Sequence, residues 1–381
     1  ARASAGRCCA PGLTVSARGE TIPEVGRDMR GDADGAPDDW ARPTGDEAAG
    51  GRESMLIYFS SGTTGMPKMA LHDFTYPLGH ITTAKYWEHV EDGGLHLTMA
   101  DSGWAKFGWG KIYGQWICGA VMVAYDTEKF VPQHLLATMQ RLRLTTFCAP
   151  PTVYRFLIQE DLRQYDFSSI RHAETAGEPR NPEVFDRFLA ATGLPITEGV
   201  GQSETSVILA NYEGFPVKPG STGKPSPLYD LDIVDENGQP CEDGIVGTIV
   251  VKNTDREHPT GLFRQYYKDP EAMAKSWPEG TYSTGDMAWR DEEGYFWFVG
   301  RNDDVIKCSG YRIGPFEVES ALLTHAAVVE CAITAVPDPV RGQVVKATVV
   351  LAKGWEASDA LKKELQEHVK KVTAPYKYPR V

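Results

Sequence analysis

Short apolar runs alternate with helix-like stretches along most of the chain, from residue 54 onward. The apolar runs predict strands at residues 55–59, 95–99 and 145–149, and the helix-like stretches lie at 132–144 and from residue 152. Strands that alternate with helices in this order are typical of α/β proteins. We therefore predict a large α/β domain over residues 54–302.

The chain past residue 220 has a different pattern, in which short strands and turn residues replace the helices. Strands are predicted at 231–234 and 247–251, on either side of the turn residues Asn237 and Gly238, and at 295–299. A β-rich subdomain of the large domain is therefore expected here. The polar stretch that follows it is suited to a hinge.

A small α+β unit is predicted over residues 303–381. Its predicted helices and strands lie at 316–323, 328–336, 344–350 and 358–371. In the last helix, apolar side chains recur every fourth residue at Leu361, Leu365 and Val369, and Ser358 stands where an N-cap is expected. The fold class predicted is α/β, a large N-terminal domain with a β-rich subdomain plus a small α+β C-terminal domain.

Residues 1–53 show no sustained helix or strand period, and we expect loop or poorly ordered chain there. Residues 1–19 carry several arginines and no acidic residue, which is similar to a transit peptide, but they form no clean amphipathic pattern. We expect a cytoplasmic protein, with the mitochondrial matrix as the alternative.

Composition limits the classes of function. With 381 residues the chain exceeds the size at which one hydrophobic core keeps growing, and its 41% of hydrophobic residues indicates a globular protein. A formal net charge of −13 disfavours nucleic acid as a partner. No apolar run is long enough to span a bilayer. The seven cysteines lack C-x-x-C spacing, which predicts reduced thiols and no metal cluster.

Residues 60–68 combine hydroxyls, glycines and a lysine directly behind an apolar strand. Glycines let the backbone approach a ligand closely, while N–H groups, hydroxyls and an ammonium attract anionic oxygens. We predict a polyphosphate-binding loop, against the alternative of an ordinary surface loop. It is not a Walker loop, because Lys68 lies three residues after Gly65 and is followed by Met69. The residues predicted to bind phosphate are Ser60, Ser61, Gly62, Thr63, Thr64, Gly65 and Lys68.

Further motifs follow this loop along the chain. They are Ala176-Gly177-Glu178-Pro179, Gly199-Val200-Gly201-Gln202-Ser203-Glu204-Thr205, Tyr282-Ser283-Thr284-Gly285-Asp286 and Lys307-Cys308-Ser309-Gly310-Tyr311-Arg312. With Arg301 and Asp303, this set resembles the adenylate-forming acyl-CoA synthetase superfamily, closest to its acetyl-CoA and medium-chain acyl-CoA synthetase branch. The resemblance covers about residues 54–379. Several motifs in the right order are far more specific than any one alone.

The resemblance implies an adenylate-forming enzyme fold and the use of ATP, Mg²⁺ and CoA. In this superfamily the loop at 60–68 holds the β- and γ-phosphates, and the segment 177–179 packs on adenine. Ser203 would touch the α-phosphate. Glu204 would bind Mg²⁺, a hard cation that prefers carboxylate oxygen and bridges phosphates.

The resemblance also assigns the ribose site and the hinge. Asp286 would accept both ribose hydroxyls, with Arg301 beside it. Asp303 falls at the hinge about which the small domain swings between an adenylating and a thioester-forming arrangement. In the second arrangement Gly310 would line the pantetheine tunnel and Arg312 would lie near phosphate.

Three small residues flank the predicted acyl pocket. Gly201 stands where the acetate-specific branch has a tryptophan, and Ala176 and Ala105, which follows Trp104, stand where that branch has larger side chains. The space gained accommodates several methylenes, each worth about 0.8 kcal/mol when buried, which predicts a medium-chain or branched acid. The alternative is that neighbours such as Trp109 refill the space.

Two features depart from the family pattern. Val200 stands where the family usually has an aromatic ring that stacks on adenine. The chain reaches Val381 before the family's final lysine motif, and about fifty unpatterned residues stand in place of a front subdomain. We therefore expect a truncated chain that is impaired in adenylation. Lys106, beside the pocket, is expected to point outward.

The predicted function is an acid–thiol ligase that activates a carboxylic acid with ATP to acyl-AMP and then transfers the acyl group to CoA. Alternatives within the superfamily are acetyl-CoA synthetase, an aromatic acid:CoA ligase and an adenylation domain that feeds a carrier protein. A non-catalytic nucleotide-binding fragment is the alternative from another class. The predicted partners are small molecules, namely the acid, ATP and CoA, and the pattern does not predict an oligomeric state.

Overall fold

The computed structural model describes residues 14–16, 26–28, 43–45, 48–60, 67–101, 104–125, 127, 129–177 and 182–381. The chain forms two compact units, Ala1–Gly50 and Gly51–Val381. In the first unit, strands β1 (Thr14–Ser16) and β2 (Gly26–Asp28) pair in parallel, an exception to the loop expected there. The rest of residues 1–42 lies outside the described residues.

The second unit alternates strands and helices before it becomes rich in strands. Its strands are β3 (Ser54–Ser60), β4 (Lys68–Asp73), β5 (Leu95–Thr98), β6 (Val121–Met122), β7 (Thr146–Cys148), β8 (His172–Ala176), β9 (Ile196–Gly201), β10 (Val207–Ala210), β11 (Lys224–Pro225), β12 (Leu231–Val234), β13 (Gly247–Val251), β14 (Gln265–Tyr266), β15 (Tyr282–Arg290), β16 (Phe296–Arg301), β17 (Ile306–Cys308), β18 (Tyr311–Ile313), β19 (Val328–Asp338) and β20 (Gly342–Leu351).

The helices of this unit are mostly short. They are α1 (Tyr76–Ile81), α2 (Ala105–Lys111), α3 (Tyr113–Ile117), α4 (Pro132–Leu142), α5 (Pro151–Leu157), α6 (Pro182–Thr192), α7 (Pro270–Ser276), α8 (Pro315–Leu323) and α9 (Asp359–Val372). A π-helical turn at Thr82–Trp87 continues α1, and 3-10 turns lie at Leu162–Gln164, Pro278–Gly280 and Pro375–Lys377. None of the described helices combines the length and apolar character that a bilayer crossing requires.

A seven-stranded sheet forms the centre of the second unit, in the order β11-β10-β9-β8-β7-β5-β6. The strands from β9 to β6 run parallel, while β10 and β11 are antiparallel additions at one edge. Consecutive residues on a strand face opposite sides, and accordingly Phe147 packs with Leu135 and Phe188 in one core cluster while Cys148 packs with Trp109 in another. The predicted α/β class is confirmed.

Two antiparallel sheets accompany the central sheet. One has the order β14-β4-β3, and the other the order β12-β13-β15-β16. The predicted hairpin is present, since Leu231 pairs with Val251, and Gly238 in its turn has φ +75°, which a glycine adopts without strain. The β-rich subdomain is thereby confirmed.

The C-terminal part folds around a sheet of order β18-β17-β20-β19, on which α8 and α9 pack. The predicted start of the last helix is confirmed, because the Ser358 hydroxyl accepts a hydrogen bond from the Leu361 N–H at 3.1 Å. The buried side chains of α9 are Leu361, Leu365 and Val369, the three apolar positions of the pattern.

Candidate active site

The predicted phosphate loop joins two antiparallel strands. Ser60 at the end of β3 pairs with Lys68 at the start of β4. Residues 61–66 lie outside the described residues. Five of the predicted phosphate-binding residues are therefore not described, namely Ser61, Gly62, Thr63, Thr64 and Gly65. The ammonium of Lys68 lies over the ring of Tyr266, 4.9 Å from its centroid. Phosphate binding by this loop stays a prediction.

Glu204 lies beside the end of this hairpin. Its side chain is buried, with the residue 8% exposed, and Oε1 accepts hydrogen bonds from the Ser60 hydroxyl at 3.3 Å and from the Tyr266 hydroxyl at 2.9 Å. The Phe263 N–H donates to the backbone carbonyl of Glu204 at 2.8 Å. Both of these side-chain bonds end on Oε1, which would leave Oε2 to bind a cation.

His72 contacts the backbone of Ser203, and none of the sequence motifs contains this histidine. Its Nε2 lies 2.7 Å from the Ser203 carbonyl oxygen. Burial lowers the pKa of His72 to about 4, so the ring is neutral at pH 7 and Nε2–H donates. The only available signal was its position four residues after Lys68, which places both side chains on one face of a strand.

The predicted ribose pair is in direct contact. Asp286 on β15 and Arg301 on β16 are paired residues of the two strands, and Arg301 Nη1 donates to Asp286 Oδ1 at 3.0 Å. Gln202 Nε2 donates to Oδ2 at 2.6 Å, a partner that the motifs did not assign. Burial raises the pKa of Asp286, and the charge of Arg301 opposes that shift.

A cavity of about 720 Å³ brings this pair together with other predicted residues. One wall contains Gly177, Val200, Gly201, Gln202, Asp286, Phe298, Gly300 and Arg301, and Asp303, the predicted hinge residue, also lines it. The opposite wall comes from α8 and β19, with Phe316, Glu319 and Thr334 among its residues. Phe298 and Phe316 line the same cavity as Val200 and carry the aromatic rings that Val200 lacks. Glu178 and Pro179 lie outside the described residues.

The segment 307–312 is not part of this cavity. Gly310 has φ +84°, which favours glycine, and Arg312 forms an ion pair with Glu236 at the β12–β13 turn. Neither Gly310 nor Arg312 is among the cavity's lining residues. In this arrangement α8 and β19 face the cavity instead.

The residues predicted for the acyl pocket are not equally buried. Ala176 and Ala105 pack in one apolar cluster with Trp87 and Trp109, whereas Trp104 is 56% exposed. The cluster agrees with the alternative that neighbours occupy the space beside Ala176.

Gly201 adds little room of its own. A Cβ atom there would lie 2.7 Å from the carbonyl oxygen of Ser206, so any side chain would require the backbone to shift. The glycine is needed for this close approach of two strands, a reason independent of the acid bound.

The expectation that Lys106 points outward is wrong. The residue is 5% exposed, and its ammonium donates to the carbonyl oxygen of Ala176 at 2.9 Å. Glu88 and Glu174 are also buried nearby. Burial raises the pKa of both carboxyl groups, to about 8 for Glu88, and the charge of Lys106 opposes each shift. A buried lysine needs such partners, which lie far away in sequence.

Glu204 is the carboxylate of this site that we expect to bind a metal ion. Among the described residues, no three His, Cys, Asp or Glu side chains are grouped so that they hold a metal by themselves. A single carboxylate such as that of Glu204 fits Mg²⁺, because this ion is commonly bound by one or two carboxylates together with the phosphates of a nucleotide.

Comparison with family models gives two matches. Residues 14–267 match the model described as AMP-binding enzyme, and residues 317–381 match the AMP-binding enzyme C-terminal domain. Together these cover most of the chain, including every described motif before residue 267.

Two relatives with similar sequences are named as acyl-coenzyme A synthetases. The mitochondrial acyl-coenzyme A synthetase ACSM3 of Mus musculus is 46% identical over 331 residues, and the mitochondrial acyl-coenzyme A synthetase ACSM4 of Homo sapiens is 47% identical over 334 residues. The alignments cover 86% and 87% of this chain, but only 57% of each relative. The chain thus spans a little more than half the length of these relatives.

Solved structures support the fold. The anthranilate CoA ligase AuaEII, in complex with anthranoyl-AMP, is similar with a TM-score of 0.78 and 29% identity, over 87% of this chain and 63% of that one.

Proposed function

The chain belongs to the AMP-binding enzyme family, and from this premise we propose that the protein activates a carboxylic acid with ATP and transfers the acyl group to CoA. The observation that carries the proposal is the shared cavity in which Gln202, Asp286 and Arg301 converge. Gln202 is two residues from Glu204, so a nucleotide whose ribose lies at Asp286 extends its phosphates toward Glu204 and Lys68.

In the first step a carboxylate oxygen attacks the α-phosphorus of ATP, the bond to the β-phosphate breaks, and pyrophosphate leaves. Asp286 and Arg301 hold the ribose, Ser203 contacts the α-phosphate, and Lys68 with its loop holds the leaving pyrophosphate. Mg²⁺ at Glu204 would screen the negative charge that the carboxylate meets. The protein contributes mainly position and electrostatics.

In the second step the CoA sulfur attacks the acyl carbon, AMP leaves with the bridging oxygen, and the thiol proton passes to solvent. We propose that rotation at Asp303 brings the segment 307–312 to the site, with Gly310 beside the pantetheine arm and Arg312 near phosphate. This rotation breaks the ion pair of Arg312 with Glu236. It also fits a division into domains at residues 54–302 and 303–381.

For the acid, we propose a medium-chain or branched aliphatic substrate. The cluster of Ala105, Ala176, Trp87 and Trp109 is apolar, and the two indoles limit its depth, which favours the shorter and branched members of this class. The similarity to the anthranilate CoA ligase keeps an aromatic acid as the second candidate. Acetate is the smallest alternative.

We propose a mitochondrial location ahead of a cytoplasmic one, because the named relatives are mitochondrial proteins. A fluorescent fusion of the full-length protein tests this. The alternative of a non-catalytic nucleotide-binding protein finds no support among these relatives, which are named as synthetases.

The proposed function is tested by ATP–pyrophosphate exchange and thioester formation in the full-length protein, assayed over straight, branched and aromatic acids. We expect exchange that requires an acid, and an acyl-CoA product when CoA is added. A protein that binds ATP but shows no exchange with any acid would refute the proposal. Best turnover with acetate would refute only the proposed class of acid.

A further inference from the structure

Tyr266 makes one contact with each of two residues that the proposed function places at the phosphates. Its hydroxyl donates to Glu204 Oε1 at 2.9 Å, and its ring lies under the ammonium of Lys68, 4.9 Å from the ring centroid. The residue is 4% exposed. No motif used above contains it.

The strand pairing explains how one side chain reaches both partners. Tyr266 on β14 pairs with Ala70 on β4, and Lys68 is two residues from Ala70 on the same strand. Diagonal neighbours of this kind lie on one face of a sheet, within reach of aromatic and long side chains. The backbone beside it also holds the glutamate, since the Phe263 N–H donates to the Glu204 carbonyl.

Each contact has a separate physical consequence. The hydroxyl fixes the carboxylate through Oε1, which would leave Oε2 to bind a cation. The ring face carries negative potential and attracts the ammonium of Lys68, so the lysine is held near the predicted phosphate loop before a nucleotide binds.

We propose that Tyr266 is a positioning residue that sets Glu204 for Mg²⁺ through its hydroxyl and Lys68 for phosphate through its ring. This proposal rests on the proposed function. It predicts that the two roles separate, because Tyr266→Phe removes the hydroxyl and keeps the ring, whereas Tyr266→Leu removes both.

The test is calorimetric binding of α,β-methylene-ATP to the full-length protein, with and without Mg²⁺, which needs no turnover. Tyr266→Phe is expected to lose roughly 10- to 100-fold of the affinity measured with Mg²⁺, as for other residues that orient a metal ligand, and to keep the affinity without Mg²⁺. Tyr266→Leu is expected to lose a further factor of roughly 2 to 5 in both conditions.

Tyr229→Phe is the matched control. Tyr229 lies in the same apolar cluster, and its buried hydroxyl bonds to Ser206 rather than to Glu204. It is expected to lower thermal stability about as much as Tyr266→Phe and to leave both affinities unchanged.

Three outcomes decide the matter. If Tyr266→Phe and Tyr229→Phe have the same affinity for α,β-methylene-ATP in both conditions, Tyr266 has only a structural role and the proposal is wrong. The same conclusion follows if Tyr266→Phe weakens binding equally with and without Mg²⁺. A wild-type protein that binds the analogue but activates no acid would refute the proposed function and leave the Tyr266 result readable. A wild-type protein that binds no analogue would refute both.

Discussion

Replacing Asp286 by alanine removes the group on which the proposed ribose site depends. The carboxylate is buried, with one oxygen bonded to Arg301 and the other to Gln202. If it also accepts both ribose hydroxyls, the variant loses two hydrogen bonds to a charged acceptor. Each is worth about 1.5–3 kcal/mol, which corresponds to a loss of nucleotide affinity on the order of 10²- to 10⁴-fold.

A comparison of ATP with 2′-deoxy-ATP and 3′-deoxy-ATP separates this cause from general damage. The wild type is expected to bind each deoxy analogue more weakly than ATP, whereas Asp286→Ala is expected to bind all three alike, because the acceptor is already gone. Equilibrium binding measures all six affinities and gives the coupling between the side chain and each hydroxyl.

Asp243→Ala provides the control for this experiment. Asp243 accepts a hydrogen bond from Arg290 Nε at 2.9 Å, so this variant, like Asp286→Ala, removes a carboxylate paired with an arginine. Asp243 is half-exposed and does not line the cavity. It is expected to bind nucleotides as the wild type does. If Asp286→Ala still discriminates against the deoxy analogues as strongly as the wild type, the ribose does not lie at Asp286 and the reasoning is refuted.

Two further predictions concern the acyl cluster and acid stability. Trp109→Leu is expected to shift kcat/KM toward longer acids by roughly fourfold per added methylene, since each buries about 0.8 kcal/mol, and an unchanged chain-length profile would contradict this. Burial lowers the pKa of several histidines to about 3 or 4, below the unfolded value of 6.5, so the stability they contribute is present above pH 6.5 and is lost as the pH falls toward 4. Each histidine is expected to lower the free energy of unfolding by about 2 kcal/mol at pH 5. Urea unfolding should therefore show a smaller decrease in this free energy between pH 7 and pH 5 for His80→Phe than for the wild type. An equal decrease would contradict the assignment. These histidines are His72, His80, His96 and His172.

Local pattern was sufficient to predict much of the fold. The helix at 358–371 was predicted within a residue of its observed bounds, Asp359–Val372, because its apolar period and its serine cap are both local properties. Asp286 and Arg301, which the resemblance assigns together to ribose, lie on paired strands and are in contact, while ribose binding by them stays a prediction.

Contacts made by distant parts of the chain were not predictable in the same way. Lys106 points inward and donates to the Ala176 carbonyl on β8, and its charge acts on the buried carboxyl groups of Glu88 and Glu174; none of these residues is its neighbour in sequence. Tyr266 reaches Glu204 and Lys68 only because β14 adds to the edge of β4. Such pairings depend on tertiary packing, which the propensities of single residues do not predict.

The central claim is that the acid's own carboxylate oxygen becomes bonded to the α-phosphorus of ATP. It is tested most directly with an acid labelled with ¹⁸O in its carboxylate, incubated with ATP, Mg²⁺, CoA and the full-length protein, followed by mass spectrometry of the nucleotide. The account predicts AMP that carries one ¹⁸O atom, together with acyl-CoA. Formation of ADP, with the label in inorganic phosphate, or of AMP without any label, would contradict it.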